Sequence, residues 1–414
     1  MMKIFWVGNV YPNAWEQVFV KERDEERELS YRELKEKIDA RGTDYFATGW
    51  CKALRSIGYE TENVIWNAVE LQNLWLKEYL GRYKSSSLEE ILLQQIKEYR
   101  PEILFASDCC SASFLQQVKS EVSALRLVIG WAGSAVAKDR TRQGLWKEMD
   151  LILCCAPESV FYLQQEGAHA VHMNHAFPVE ILPALHKNSD KHSELSFVGS
   201  IVRGEEYHLF RERLLLGLLG SLPLDIYSPS ATITNRELIK MILAMGIYDM
   251  AHLFSAEVRT RILSKIPILG RVCTRIERPM LPVNDTLQKY MRPPVFGIDM
   301  FNVLFNSDIV LNIHADSSPQ FASNMRMFEA TGVGTCLLTD NKKNMEELFV
   351  PEQEVVTYDS VEECIEKAKW LQAHPRERQE IAEAGKRRCL KEHTYENRAV
   401  IFDHIVKKAL KYGK

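Results

Sequence analysis

The stretch Ser307-Asp308-Ile309-Val310-Leu311-Asn312-Ile313-His314, with Phe321 to Asp340 after it, decides the fold class. An apolar run of strand length ends in Asn312 to His314, as a parallel strand buried on both faces would. A polar loop follows, Ala315 to Ala322. Ser323 or Asn324 is placed to cap a short helix running to Ala330, Gly332 and Gly334 end it, and Cys336 to Thr339 is the next strand. A helix N-terminus presents unpaired N–H groups and the positive end of the dipole, which favours a phosphate. Arg326 and Glu329 are three apart and share a helical face. A guanidinium can grip a diphosphate with two prongs, and a carboxylate one turn on can accept hydrogen bonds from ribose hydroxyls. On spacing alone an ordinary surface Arg–Glu pair is the plainer reading.

Outward from this unit the same alternation recurs. In the first half, Ile4 to Val7, Val64 to Trp66, Ile103 to Ala106, Leu125 to Gly130 and Leu151 to Cys155 read as strands. Between them, helices are expected in the charged stretch Glu16 to Arg41, over Tyr45 to Ile57 with Gly58 behind it, over Leu88 to Tyr99 before Pro101, and over Val160 to Glu166 before Gly167. Residues 1–178 therefore read as a doubly wound half with an open parallel sheet. The polar, proline-punctuated stretch 179–194 reads as a linker. A second α/β unit, 195–395, opens on Leu195-Ser196-Phe197-Val198-Gly199-Ser200 and continues in strands at Leu224 to Tyr227, Ile309 to Ile313 and Cys336 to Thr339. A helical, net-basic insertion at about 235–280 interrupts it, and two helices, Val361 to Ala373 and Glu377 to Glu392, precede a tail helix in 396–414.

Composition narrows the function. The 414 residues are enough for two domains, and 46% hydrophobic residues are enough for full cores. A net charge of -4 argues against a general nucleic-acid binder, which needs a basic surplus to replace counterions. The run Met1 to Gly8 is too short for a secretory h-region, and no apolar stretch is long enough to span a bilayer, so a cytoplasmic protein is expected. The nine cysteines, an odd number without a CxxC pair, read as reduced, buried thiols. His169, His172 and His175 have a three-residue spacing in a strand-like run, which does not put ligands on one face, so no metal site is expected.

The segment Asn324-Met325-Arg326-Met327-Phe328-Glu329-Ala330-Thr331-Gly332-Val333-Gly334, followed by Leu337-Leu338-Thr339-Asp340, closely resembles the spore-maturation CgeB-like glycosyltransferases, a branch of the group 1 GT-B enzymes. The resemblance extends through Pro294 to Gly297, Asp299-Met300, Glu354 to Tyr358, Ala384-Gly385 and Glu392 to Tyr395. It is weaker at Ala53 to Arg55, Gly58 to Glu60, Asn67-Ala68 and His175 to Phe177. It implies a GT-B fold: two Rossmann-like domains facing across a cleft, 1–178 for the acceptor and 195–395 for the nucleotide-sugar donor, with the tail packing back on the first. It implies that Glu329 holds the donor ribose, that Arg326 faces the diphosphate, and that Gly199-Ser200 brings backbone amides to the phosphates, with Arg203 as a further contact. Gly297 resembles the glycine near the nucleobase. The Glu-x7-Glu pair of group 1 retaining enzymes is incomplete, with Phe321 at the first position, so retention of configuration does not follow. His314 or Asp316 is the candidate to serve the sugar instead.

The expected activity is hexosyl-type transfer from a nucleoside diphosphate sugar to a saccharide, lipid-linked or protein acceptor, as in the making of cell-surface glycans, without a cofactor or an essential metal. A GT-B epimerase acting on a nucleotide sugar and a noncatalytic nucleotide-sugar-binding or assembly protein are the alternatives. Arg326 and the helix end at Asn324 would neutralise the departing diphosphate. Candidates for the acceptor base are Asp108, at a strand's C-terminal end, Asp139, and His175, near the expected cleft. The basic run Lys138, Arg140 and Arg142 reads as solvated. Ala251 to Met280, with bases such as Arg259, Arg271 and Arg275 among apolar residues, is expected either to touch a membrane surface or acidic partner, or to pack as an ordinary helical subdomain.

Overall fold

Along β1 (Lys3–Gly8) successive side chains enter two different cores. Phe5 and Val7 join Leu104 and Ala106 on one face, while Ile4 and Trp6 join Ile103 and Phe105 on the other. That is why the run is apolar without alternation: the sheet carries helices on both sides. The computed structural model describes residues 1–11, 14–17, 29–42, 45–81, 87–106, 110–133, 143–188, 192–201, 209–232, 235–261, 269–273, 278–279, 284–314 and 318–412. With β2 (Glu60–Ile65), β3 (Ile103–Ala106), β4 (Leu127–Ala132), β5 (Leu151–Cys154) and β6 (Ala170–His172), β1 forms a six-stranded parallel sheet of order β2-β1-β3-β4-β5-β6.

The longer helices of this half are α1 (Tyr31–Ala40), α2 (Tyr45–Ser56), α3 (Val69–Leu80), α4 (Leu88–Tyr99), α5 (Ala112–Glu121) and α6 (Pro157–Gln165). Ser30 and Glu33 close a capping box on α1, and Ser87 and Ser111 cap α4 and α5. Of the charged stretch Glu16 to Arg41, residues 18–28 lie outside the described residues, and α1 is its described helix.

The second sheet contains β7 (Ser193–Val198), β8 (Asp225–Tyr227), β9 (Met291–Arg292), β10 (Ser307–Asn312), β11 (Cys336–Asp340) and β12 (Val356–Tyr358), in the order β12-β11-β10-β7-β8-β9. The longer helices of the rest of the chain are α7 (Leu209–Leu219), α8 (Asn235–Ala251), α9 (Gly297–Phe305), α10 (Met325–Val333), α11 (Val361–Ala373), α12 (Pro375–Glu392) and α13 (Tyr395–Tyr412). By compactness the chain divides into one unit of Met1–Leu195 with Val295–Lys414 and another of Ser196–Pro294.

In the first unit α13 packs on α2. Tyr395, Ala399, Phe402 and Val406 enter the core that holds Trp6, Trp50 and Phe105, and Tyr59 donates its hydroxyl to Asp403 at 2.7 Å. The stretch after β6 is fastened to α9: His186 and Asn188 donate backbone N–H groups to the side chains of Asn302 and Asn306 at 3.1 and 2.7 Å. The eight described cysteines are all buried.

One local expectation changes. α10 runs on to Val333, so Gly332 lies inside the helix and Gly334 alone is its left-handed cap, with φ 89°. Gly332 has a packing reason instead. A Cβ there would overlap the Phe177 ring, so only glycine lets the ring lie on the helix.

Candidate functional site

The polar end of β10 sits in a closed hydrogen-bond network with the end of β11. Asn312 donates its amide to Thr339 Oγ1 at 2.9 Å, and Tyr358 donates its hydroxyl to the Asn312 carbonyl at 2.9 Å. Two residues on, His314 turns back to Asp340: its backbone N–H and its ring Nδ1 both reach Asp340 Oδ1, at 3.0 and 2.7 Å. Lys342 Nζ lies 3.1 Å from Asp340 Oδ2. Burial by itself would raise the Asp340 carboxyl. The His314 ring, its backbone N–H and the Lys342 ammonium outweigh burial and hold the carboxyl well below the ordinary carboxylate range. An ionised carboxylate only accepts, so Nδ1 of His314 carries the proton and Nε2 is the outward nitrogen. That Nε2 is buried and has no hydrogen-bond partner among the described residues.

α10 begins ten residues beyond His314 with Asn324 at the cap position. The sequence places a capping side chain there, and the structure shows a different use for it. Asn324 makes no side-chain cap. Its amide instead donates to Asn312 Oδ1 and to the Ile313 carbonyl, both at 3.1 Å. Ser323, the other candidate cap, has its Oγ buried and unpartnered among the described residues. The first-turn N–H groups of α10 thus lack the side-chain acceptor that usually occupies them. Buried polar atoms are nearly always satisfied, so the uncapped start of α10 and the two orphaned polar atoms near it make this the candidate site.

Arg326 and Glu329 meet on α10, with Arg326 Nη1 at 2.5 Å from Glu329 Oε2 and at 3.0 Å from Met300 Sδ. The pair is not a surface pair: the side chains are 16% and 1% exposed. A buried pair bears a desolvation cost that a solvated one avoids, which makes stability a weak reason for keeping it.

The loop entering α10 is held from two sides. Glu158, in the first turn of α6, accepts the backbone N–H groups of Gln320 and Phe321, each at 3.1 Å, and the Ser318 hydroxyl at 3.3 Å. From the other side Lys342 donates to the Pro319 carbonyl at 2.9 Å, and Asn344 pairs with both backbone groups of Ala322. Phe321, eight residues before Glu329, is thus positioned through its backbone.

Gly297 opens α9 with φ 52°, and a Cβ there would overlap the Arg41 carbonyl. The Ile298 N–H donates to that same carbonyl at 2.9 Å. What the geometry shows for this glycine is close backbone packing. His175 is buried against Trp131 and Phe46, with ring centroids 5.0 and 6.0 Å away, and its Nδ1 has no partner among the described residues. Burial, and then Arg398, depress its imidazole to about 3, so it is a weak base at neutral pH. Its carbonyl accepts from Arg398 Nε at 3.3 Å. His172, one of the three spaced histidines, has its Nε2 3.3 Å from the Cys155 carbonyl.

Gly199 and Ser200 belong to the unit Ser196–Pro294 and are described within it. Gly199 donates its N–H to the Tyr227 carbonyl at 3.0 Å, and the Ser200 carbonyl accepts from Arg211 Nη1 at 2.6 Å. Arg211 is itself buried and lies over the Phe197 ring. Arg203, Asp108, Asp139, Asp316 and the run Lys138, Arg140, Arg142 lie outside the described residues. The structure brings together His314, Asn324, Arg326 and Glu329 around the start of α10. The sequence does not single out Asp340, Lys342 or Glu158 as site residues. Asp340 has a signal, a polar residue closing an apolar strand, whereas the partners of Glu158 are backbone groups and leave no mark in the sequence.

The profile of a glycosyl transferase-like family matches residues 254–402, which contain all four residues at the start of α10. No curated protein sequence matches the chain. Among solved structures, a sucrose-phosphate synthase from Thermosynechococcus elongatus is similar over 99% of this chain and 100% of its own, with a TM-score of 0.57 at 10% identity. A glycosyltransferase from Rickettsia africae is similar over 99% of each chain, with a TM-score of 0.54 at 9% identity. The fold is GT-B. HepE from Anabaena, in a structure with UDP-glucose, is similar over 99% of this chain and 100% of its own, with a TM-score of 0.51 at 12% identity. No helix among the described residues is long and apolar enough to cross a membrane.

Proposed function

We propose that the protein is a group 1 glycosyltransferase that moves a sugar from a nucleoside diphosphate sugar to an acceptor. The observation that carries this reading is the start of α10: an uncapped helix end flanked by the buried Ser323 Oγ and His314 Nε2, with Arg326 and Glu329 on the next turn. In this reading the helix amides and Arg326 take the diphosphate and Glu329 takes the ribose hydroxyls. Negative charge grows on the departing diphosphate in the transition state, and donors already in place there accelerate the step without a metal. His314 Nε2 serves the donor sugar, and its orientation is set by Asp340. Residues 1–178 hold the acceptor and 195–395 the donor, with Gly199, Ser200 and Arg203 as phosphate contacts and Asp108 as the acceptor base in place of the depressed His175. The CgeB-like subtype and a cytoplasmic site of action belong to the same proposal. UDP is the first nucleotide to try, since HepE binds it.

Calorimetry with UDP, GDP and dTDP tests the site. The expected result is binding of one of them by the wild type, weakened at least about tenfold by Arg326→Ala, in line with the strength of charge-assisted contacts. Glu329→Ala should weaken it as well. Unchanged affinity in both variants removes α10 from the donor site. Incubation of the bound nucleotide's sugar with candidate acceptors then separates transfer, which releases free nucleotide and a glycoside, from epimerisation, which leaves an altered nucleotide sugar.

A further inference from the structure

α8, in the unit Ser196–Pro294, turns large apolar side chains to solvent. Ile239, Ile242, Leu243 and Met250 are each more than half exposed, and so are Leu253 and Phe254, in the turn that continues the helix. Steps of three, four and seven residues put all six on one stripe, about a third of the helix circumference. The stripe is an unbroken face, unlike the scattered apolar residues normal on a protein surface.

Its rim is cationic. Arg236 and Lys240 are exposed along one edge, and neither forms an ion pair with any described residue. At the other edge stands Asp249, whose carboxylate is gripped by Arg278 through Nε and Nη2 at 2.7 and 2.6 Å, so its charge is cancelled. Residues 235–280 carry eight Lys and Arg against four Asp and Glu, in a chain whose net charge is -4. This helix face pairs exposed apolar bulk with a basic border. A surface of anionic lipid headgroups meets both properties: it neutralises the rim and takes the stripe to a shallow depth. α8 has 17 residues and carries Arg236, Glu237, Lys240 and Asp249, so it lies along such a surface and does not cross it.

We propose that the outward face of α8, from Ile239 to Phe254 with Arg236 and Lys240 on its rim, docks the protein in the interfacial layer of an anionic membrane. The membrane contact expected from the sequence at 251–280 is thereby placed mainly on the preceding helix. The docking does not depend on the sugar-transfer reading.

Flotation of the full chain with vesicles tests it. One set is phosphatidylcholine mixed with phosphatidylglycerol, the other phosphatidylcholine alone, at low and high salt. The wild type is expected to float with the anionic vesicles at low salt and to be released by salt. Ile242→Glu with Leu243→Glu, and separately Arg236→Glu with Lys240→Glu, are expected to lower the partition coefficient at least about tenfold each, by removing apolar insertion and electrostatic attraction respectively. All four positions are exposed, and unchanged circular dichroism and thermal midpoint verify that the variants fold. The proposal fails if the wild type stays unbound at low salt, if binding ignores phosphatidylglycerol, or if both double variants float like the wild type. A concentration-dependent dimer, abolished by the apolar double variant in sedimentation without any flotation, would give the stripe to a second copy instead.

Discussion

Burial, with Arg398 adding to it, holds His175 at about 3, and burial is likewise the main reason His393 lies at about 4. The unfolded chain takes up a proton on each near pH 6.5, which the folded chain refuses. Stability is therefore fully present above about pH 6.5 and is lost as pH falls towards the folded values, by about 1.4 kcal/mol per unit for each histidine. His175→Phe should make the decline between pH 6.5 and 5 shallower by about 2 kcal/mol, measured as urea midpoints across that range. Parallel curves for variant and wild type would mean that His175 titrates normally. Asp340 has its folded value depressed, so its contribution is present above about pH 4 and is lost as pH falls through the lower folded value. Asp340→Asn should cost on the order of 3 kcal/mol at neutral pH, by uncoupling the buried His314 and Lys342, with the gap to wild type narrowing in acid. A gap constant down to strongly acidic pH would show that Asp340 acts by packing and not by charge.

At the scale of elements, the strap formed by Ser318 to Ala322 matters because α10 starts where it ends. Glu158 lies in the first turn of α6, where a carboxylate ordinarily complements its own helix dipole. Here it also accepts three hydrogen bonds from the strap. Glu158→Ala removes the acceptor of one part-buried and one exposed backbone donor and should cost about 1 kcal/mol. The more telling readout is local: amide exchange of Gln320 and Phe321 should speed up, and affinity for the bound nucleotide should fall several-fold while the rest of the protein keeps its protection. If exchange at the strap is unchanged, water replaces the carboxylate without consequence and Glu158 has no positioning role.

For the molecule as a whole, the C-terminal helix completes the core beneath the first sheet. Phe402 on α13 is fully buried and packs with a tilted ring against Trp50, with centroids 5.4 Å apart, and Arg398 ties the same helix to the carbonyls of Asn174 and His175. The eighteen residues of α13 are thus part of the structure that the N-terminal strands begin. Phe402→Ala should destabilise the fold by about 3–5 kcal/mol, as aromatic deletions from packed cores do. Thermal unfolding would show this as a lower midpoint for the first sheet's tryptophans. A change below about 1 kcal/mol, the scale of a surface substitution, would mean that α13 is peripheral.

Local patterns determined much of this protein. Apolar runs of strand length, with glycines such as Gly58, Gly167 and Gly334 closing helices between them, were enough to lay out most of both parallel sheets, because period and capping act over a few neighbouring residues. The spacing of Arg326 and Glu329 likewise put them on one face, since three residues make nearly one helical turn. Tertiary structure decided the rest. Asn324 sits at the expected cap but makes no side-chain cap, and its amide donates to Asn312 Oδ1 and the Ile313 carbonyl, acceptors that the end of β10 brings to it. Gly332 stays helical because Phe177, 155 residues earlier in the chain, lies against it. The Asp340–His314 pair and the Glu158 strap join residues 26 and about 160 positions apart, and hydrogen bonds to backbone groups at such distances leave no spacing to read. The apolar face of α8 is the reverse case: its composition was visible, but only the fold shows which side remains uncovered.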